Sequence, residues 1–124
     1  MARRVLVVDD SPTIRQQLRM TLSGAGFSVD CATDGQEGLD RLRADRGFHL
    51  VITDMNMPNM DGATMLEQAQ AEGLTKGLPI VVLTTEGHPQ LVARCKKAGA
   101  RGWMVKPTKP KVLVKAAMKL TRAA

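Results

Sequence analysis

Apolar positions in this chain fall into short runs separated by stretches with a different rhythm. Residues 5–8 read VLVV, and further runs follow at 27–32 (FSVDCA), 49–53 (HLVIT), 79–84 (PIVVLT) and 102–105 (GWMV). Those beginning at 5, 49 and 79 are rich in β-branched residues and nearly unbroken, the pattern of strands buried on both faces in a parallel sheet. Between the runs the spacing becomes helical. Ile14, Leu18 and Leu22 stand four apart and stop near Gly24 and Gly26. Leu39 and Leu42 follow Thr33-Asp34-Gly35-Gln36, which has the form of a capping box. Leu66 and Ala69 follow Asp61-Gly62, and Leu91, Cys95 and Ala98 end at Gly99, a natural C-cap. Pro110 opens a last helix carrying Val112, Leu113, Ala116, Ala117 and Leu120.

Strand and helix therefore alternate five times, with no internal linker or repeat. Right-handed crossovers turn that order into an α/β fold, a five-stranded doubly wound parallel sheet with five helices. In such sheets ligands bind beyond the carboxyl ends of the strands. The residues just after each run thus matter most: Asp9 and Asp10; Asp54; Thr84, Thr85 and Glu86; and Lys106.

Composition narrows the function classes. With 124 residues, 44% hydrophobic and 24% charged, the chain has the composition of a folded globular protein and is expected to be a single domain (1–124) without an output domain. No apolar run approaches the roughly 18 residues a membrane-spanning helix needs. MARRVLVVDD meets acids at once and lacks a small-residue cleavage site, so a cytoplasmic location without membrane insertion is expected. Cys31 and Cys95 lie far apart without companions at ligand spacing, which excludes a zinc motif or CxxC pair. The net charge of +6 is uneven: residues 86–124 hold ten basic and one acidic residue (+9), residues 1–85 eight basic and eleven acidic (−3).

Three carboxylates, one or two hydroxyls and an ammonium converging on one sheet edge suit phosphoryl chemistry on a carboxylate. Clustered acids need a divalent cation, and oxygen-only ligands favour magnesium. Asp54, alone at its strand end and at the centre of the sheet if the third strand is central, is the best nucleophile. Asp9 and Asp10 form the metal cradle, and Lys106 and a Thr hydroxyl at the end of the fourth run meet phosphoryl oxygens.

VLVVDD, TDMNMPNMDG, VVLTT and VKP, in this order and spacing, resemble the receiver domain of two-component response regulators across essentially the whole chain. DMNMPNMDG is similar to the chemotaxis-type single-domain regulators. The resemblance implies a flavodoxin-like sheet of order 2-1-3-4-5 and Asp54 as phosphoacceptor. It implies magnesium held by Asp10, Asp54 and the Asn56 carbonyl, with Asp9 acting through water. Thr84 becomes the switch hydroxyl, and Lys106 the phosphoryl contact before a cis bond to Pro107. Trp103 stands where the family keeps a switching aromatic, more often Tyr or Phe, and Thr108 where many relatives carry Phe. Asn56 and Glu86 flank the path of the hydrolysing water and tune dephosphorylation.

Plainer readings compete. Asp9 and Asp10 also suit helix capping, Lys109 rivals Lys106, Thr85 rivals Thr84, and Trp103 suits simple packing. Met55, Met57 and Met60 read as loop packing, and His49 and His88 as surface residues. Lys111, Lys115, Lys119 and Arg122 share one face of the last helix, expected on the surface made with the fourth helix and fifth strand; it is either a solvated stripe or a dock for a partner with an acidic surface. No recognition helix or aromatic platform accompanies this charge, so specific nucleic-acid binding is not expected. The leading expectation is a monomeric, stand-alone regulator, not a dedicated enzyme. It accepts phosphoryl from a histidine kinase and switches affinity for a protein target, a flagellar motor component being one candidate. A phosphate sink or relay intermediate is the alternative. A magnesium phosphatase fits less well, since its DxD arrangement would need an acid where Asn56 stands.

Overall fold

The computed structural model describes residues 3–85 and 89–121. Five strands alternate with five helices: β1 (Arg4–Val8), α1 (Pro12–Gly24), β2 (Ser28–Ala32), α2 (Gly35–Ala44), β3 (Leu50–Asp54), α3 (Gly62–Ala71), β4 (Ile80–Thr84), α4 (Pro89–Lys97), β5 (Gly102–Val105) and α5 (Pro110–Thr121). All pairings are parallel, in the order β2-β1-β3-β4-β5. The three inner strands are the unbroken apolar runs. Every residue of β3 and β4 is buried, as are Val5, Leu6, Val7 and Val8 of β1. The edge strands β2 and β5 are only half covered, which explains their mixed composition.

Strand alternation divides the core into two layers. Leu6, Val8, Val51 and Val82 face α2, α3 and α4, packing on Leu39, Leu66, Ala69 and Cys95. Val5, Val7, Ile52 and Leu83 face α1 and α5, packing on Leu18, Leu22, Leu113 and Ala117. Each fully buried Leu or Ile contributes about 2 kcal/mol by transfer from water, so both layers must close for the domain to be stable.

Local signals set the helix ends. Ser11 caps α1, its hydroxyl accepting from the Ile14 amide at 3.3 Å. The capping box of α2 is shifted by one residue from the sequence expectation. Asp34 is the N-cap, accepting from the Glu37 amide at 2.8 Å, while Thr33 donates its hydroxyl to Glu37 at 2.9 Å. A carboxylate one residue nearer the helix displaces the hydroxyl, because an anion is also favoured by the helix dipole. Gly99 ends the turn after α4 at φ 105°, where a β-carbon would be strained.

The connection from β3 to α3, residues 55–61, is closed at its base by the Gly62 amide donating to the Met55 carbonyl at 2.9 Å. A β-carbon on Gly62 would collide with the Asp54 carbonyl, so only glycine lets α3 start this close to the end of β3. The tip of the connection is tied to α2. Asn59, at φ 67°, donates its side-chain amide to Asp34 Oδ2 at 2.7 Å, and the Gly35 amide donates to the Met60 carbonyl at 3.0 Å. No helix among the described residues is long and apolar enough to cross a membrane.

Candidate functional site

The order of the sheet brings the ends of β1, β3 and β4 side by side, with β5 flanking them. Asp9 follows β1 directly and is buried, 1% exposed. Its Oδ1 accepts from the Ser11 amide at 2.9 Å, and its carbonyl accepts from Arg15 Nη1 at 2.7 Å. The cap of α1 is thus Ser11, and Asp9 is free to turn its other oxygen inward. Asp54 ends β3 and is 9% exposed; its Oδ1 accepts from the Met55 amide at 2.8 Å. Asp10 lies on the rim, exposed. One carboxylate oxygen from each of Asp9, Asp10 and Asp54 falls within 4.8 Å of the others.

Lys106 comes from the far side of the sheet. Its backbone amide donates to the Thr84 carbonyl at 2.8 Å, extending the β4–β5 ladder by one bond. From there its Nζ reaches Asp9 Oδ2 at 2.8 Å and Asp54 Oδ1 at 3.3 Å. The peptide bond from Lys106 to Pro107 is cis, as the resemblance implied. Lys109 is exposed, and no ion pair joins it to the acids among the described residues. Thr84 is buried, whereas Thr85 is exposed.

The electrostatics follow from this geometry. Burial pushes the Asp54 carboxyl above its ordinary value, and the neighbouring Asp9 charge adds to the rise; Lys106 and the Met55 amide oppose it. Burial pulls the Lys106 ammonium down, but its bond to Asp9 and the two carboxylate charges together outweigh that and leave it raised. Three acids face one lysine, so an ionised cluster keeps two uncompensated negative charges. An all-oxygen, partly open donor set with excess negative charge fits a hard divalent cation.

The remaining expected residues are dispersed. Asn56 follows in the 55–61 connection with its side chain exposed. Met55 is buried, and Met57 and Met60 are half-buried against the core. Trp103 is half-buried and packs on the layer of α2, α3 and α4. It pairs with Val82 in register, and two residues further along the same face of β4 stands Thr84. His49 is exposed, its Nδ1 accepting from the Arg4 amide at 2.9 Å. Lys111, Lys115 and Lys119 are exposed on α5, and their stems border a groove shared with α1 rather than being confined to the expected surface with the fourth helix and fifth strand. Glu86, His88 and Arg122 lie outside the described residues. Sequence reasoning missed Arg15 on the Asp9 carbonyl and the tie from Asn59 to Asp34. Neither carries a local signal beyond an Asn in a turn-forming MPNMDG stretch.

A doubly wound parallel sheet with this acid and lysine cluster beyond its strand ends is the arrangement that the receiver resemblance implied. The chain belongs to the response regulator receiver domain family, whose pattern it matches over residues 5–118. It is 40% identical to chemotaxis protein CheY1 of Helicobacter pylori strain J99 over 111 residues, 89% of this chain and 90% of that protein. It is 39% identical to the chemotaxis protein CheY homolog of Campylobacter jejuni, over 89% of this chain and 85% of that one. Among solved structures, the chemotaxis response regulator CheY4 of Vibrio cholerae superposes with a TM-score of 0.88 at 39% identity, covering 97% of this chain and 99% of that one. Receivers of this type are signalling proteins rather than dedicated enzymes.

Proposed function

We propose that this receiver is a phosphorylation switch in chemotaxis signalling. A histidine kinase donates a phosphoryl group to Asp54, and the modified domain changes its affinity for a protein partner. The observation that carries the reading is Asp54 itself: a nearly buried carboxylate at the end of the central strand, 3.3 Å from Lys106 Nζ and grouped with Asp9 and Asp10.

In the transfer, an Asp54 carboxylate oxygen attacks phosphorus as the bond from phosphorus to the kinase imidazole nitrogen breaks. That nitrogen keeps the electron pair, and Asp54 becomes an acyl phosphate. Asp9, Asp10 and Asp54, with the Asn56 carbonyl, would hold magnesium, which when bound offsets the negative charge of carboxylates and phosphoryl oxygens. Lys106 already pairs with Asp54, so its ammonium can pass to a phosphoryl oxygen with little movement. The Thr84 hydroxyl meets another. Trp103 shares that face and reports the change, while Asn56 and Glu86 set access for the hydrolysing water. Lys111, Lys115, Lys119 and Arg122 present the positive side of the contact to an acidic partner, for which a flagellar motor component is a candidate.

The test uses Trp103, the only tryptophan in a chain without tyrosine. Magnesium followed by beryllium fluoride should change its fluorescence in two steps, and Asp54→Asn should abolish the second. Absence of magnesium binding in calorimetry, together with no acyl phosphate formed from acetyl phosphate, would overturn the reading.

A further inference from the structure

The three carboxylates of the acid cluster are held unequally. Asp9 has every oxygen engaged: Oδ1 accepts from the Ser11 amide at 2.9 Å, Oδ2 from Lys106 Nζ at 2.8 Å, and the main-chain carbonyl from Arg15 Nη1 at 2.7 Å. Asp54 is held through Oδ1, by the Met55 amide and by Lys106. Asp10 differs from both. It is exposed, and among the described residues no hydrogen bond or ion pair reaches its carboxylate; yet one of its oxygens stands within 4.8 Å of the other two acids. With its side chain unrestrained, the backbone has to aim it.

Arg15 is placed to fix that backbone. It lies half-buried in the first turn of α1, its own amide donating to the Ser11 carbonyl at 3.0 Å. Its guanidinium goes to a carbonyl rather than to an acid, for no ion pair joins Arg15 to a carboxylate among the described residues. At 2.7 Å the bond has the length of a charge-assisted one. The strand ladder leaves that carbonyl available. The Asp9 amide donates to the Ala32 carbonyl at 3.1 Å, after which the chain beyond β2 turns into α2. A peptide unit is planar, so holding the Asp9 oxygen also fixes ψ of Asp9 and φ of Asp10. Those two rotations set the direction of the Asp10 β-carbon.

We infer that Arg15 is a positioning residue for the metal site: by holding the Asp9–Asp10 peptide it aims the Asp10 carboxylate at the place shared with Asp9 and Asp54. The inference rests on the magnesium reading above and adds the residue that makes Asp10 a preformed ligand. Two consequences separate this role from plainer ones. By charge alone, removing a cation from beside the acids would tighten the binding of another cation, whereas losing the aim weakens it. Magnesium demands near-octahedral geometry at about 2.0–2.1 Å, while calcium accepts irregular oxygen sets at about 2.3–2.6 Å, so a misaimed ligand harms magnesium more. A mere anchor for α1 would lower the melting temperature and leave the ratio of the two affinities unmoved.

The test is titration of the full chain with magnesium chloride and, separately, with calcium chloride. The amide resonances of Asp54 and Met55 report binding and reach millimolar dissociation constants. Arg15→Met should weaken magnesium about tenfold, the scale on which supporting residues of metal ligands act. Calcium should weaken less than about twofold, since its geometry is forgiving. In an Asp10→Asn background, Arg15→Met should change magnesium affinity less than about twofold, because the carboxylate it aims is already gone. Should Arg15→Met fold poorly, Arg15→Gln carries the same expectations, being too short to reach the Asp9 carbonyl. Unchanged or tighter magnesium binding, equal losses for the two cations, or an undiminished effect in the Asp10→Asn background would overturn the inference and leave the magnesium reading standing. A parent chain that binds no magnesium would overturn both.

Discussion

Replacing Lys106 by Met keeps much of the side-chain volume and removes one charge, which isolates what the ammonium does. Lys106 is the one cation paired with Asp9 and Asp54 among the described residues, at 2.8 and 3.3 Å, with the side chains of the three residues 14%, 2% and 11% exposed. Removing one member of a buried ion pair costs about 3–5 kcal/mol when the remaining charge has no escape. Here Asp54 can take up a proton, so about 2–3 kcal/mol at pH 7 is the better figure. For a domain of this size that lowers the melting temperature by roughly 10 °C. The pH dependence identifies the cause. The folded-state carboxyl of Asp54 is raised, by burial first and then by Asp9, so stability falls as pH rises from the ordinary carboxyl value through the raised one. Without Lys106 that carboxyl rises further and the window extends upward. The deficit of the variant should therefore be larger at pH 7 than at pH 4, because the raised Asp54 carboxyl takes up a proton as pH falls. The lysine acts at the other end. Its pKa is raised above 10.5, so its stabilisation is present below that value and lost as pH rises through the raised one, a loss the variant lacks. Calorimetric melts in a chelator at both pH values, then with magnesium, make the measurement. Magnesium should recover more stability in the variant than in the parent, because it meets an acid cluster with no competing ammonium. A deficit equal at pH 7 and pH 4, or a variant melting within about 2 °C of the parent at pH 7, would refute the electrostatic account.

Three further outcomes are expected. Asn59→Gly relieves the φ of 67° but removes the 2.7 Å bond to Asp34, so melting should stay within a few degrees while calorimetric magnesium affinity falls about threefold; unchanged affinity would mean the 55–61 connection is held without that tie. Leu66→Ala empties a fully buried site between α3 and the sheet and should cost about 3 kcal/mol in denaturant unfolding with the slope unchanged. Burial pushes the Cys95 thiol up to about 11, so a thiol reagent at neutral pH should modify half-buried Cys31 first and Cys95 only on unfolding; equal rates would point to opening of α4 in the native state.

Much of this protein could be read from local pattern. The apolar runs at 5, 49 and 79 became the three inner strands because strands buried on both faces need no polar alternation. Once the strands were placed, Asp9, Asp10, Asp54 and Lys106 had to gather at one sheet edge, since all the strands of a parallel sheet point their carboxyl ends the same way. Right-handed crossovers fixed the hand of each connection before any contact was known, and the reversal in strand order at β1 then put helices on both faces.

The rest depended on contacts between segments far apart in the chain. Lys106 and Asp9 are separated by 97 positions, and only the flanking place of β5 decides that the ammonium spans both buried acids. Whether Thr33 or Asp34 would cap α2 was a one-residue choice, and in the fold Asp34 both caps the helix and holds Asn59. The α5 lysines show helical periodicity in sequence, but that periodicity cannot say that α1 presents small residues opposite them. Periodicity reports which side of an element is buried; it does not report how far the neighbouring element stands away. That spacing, and with it the α1–α5 groove, was decided by tertiary packing alone.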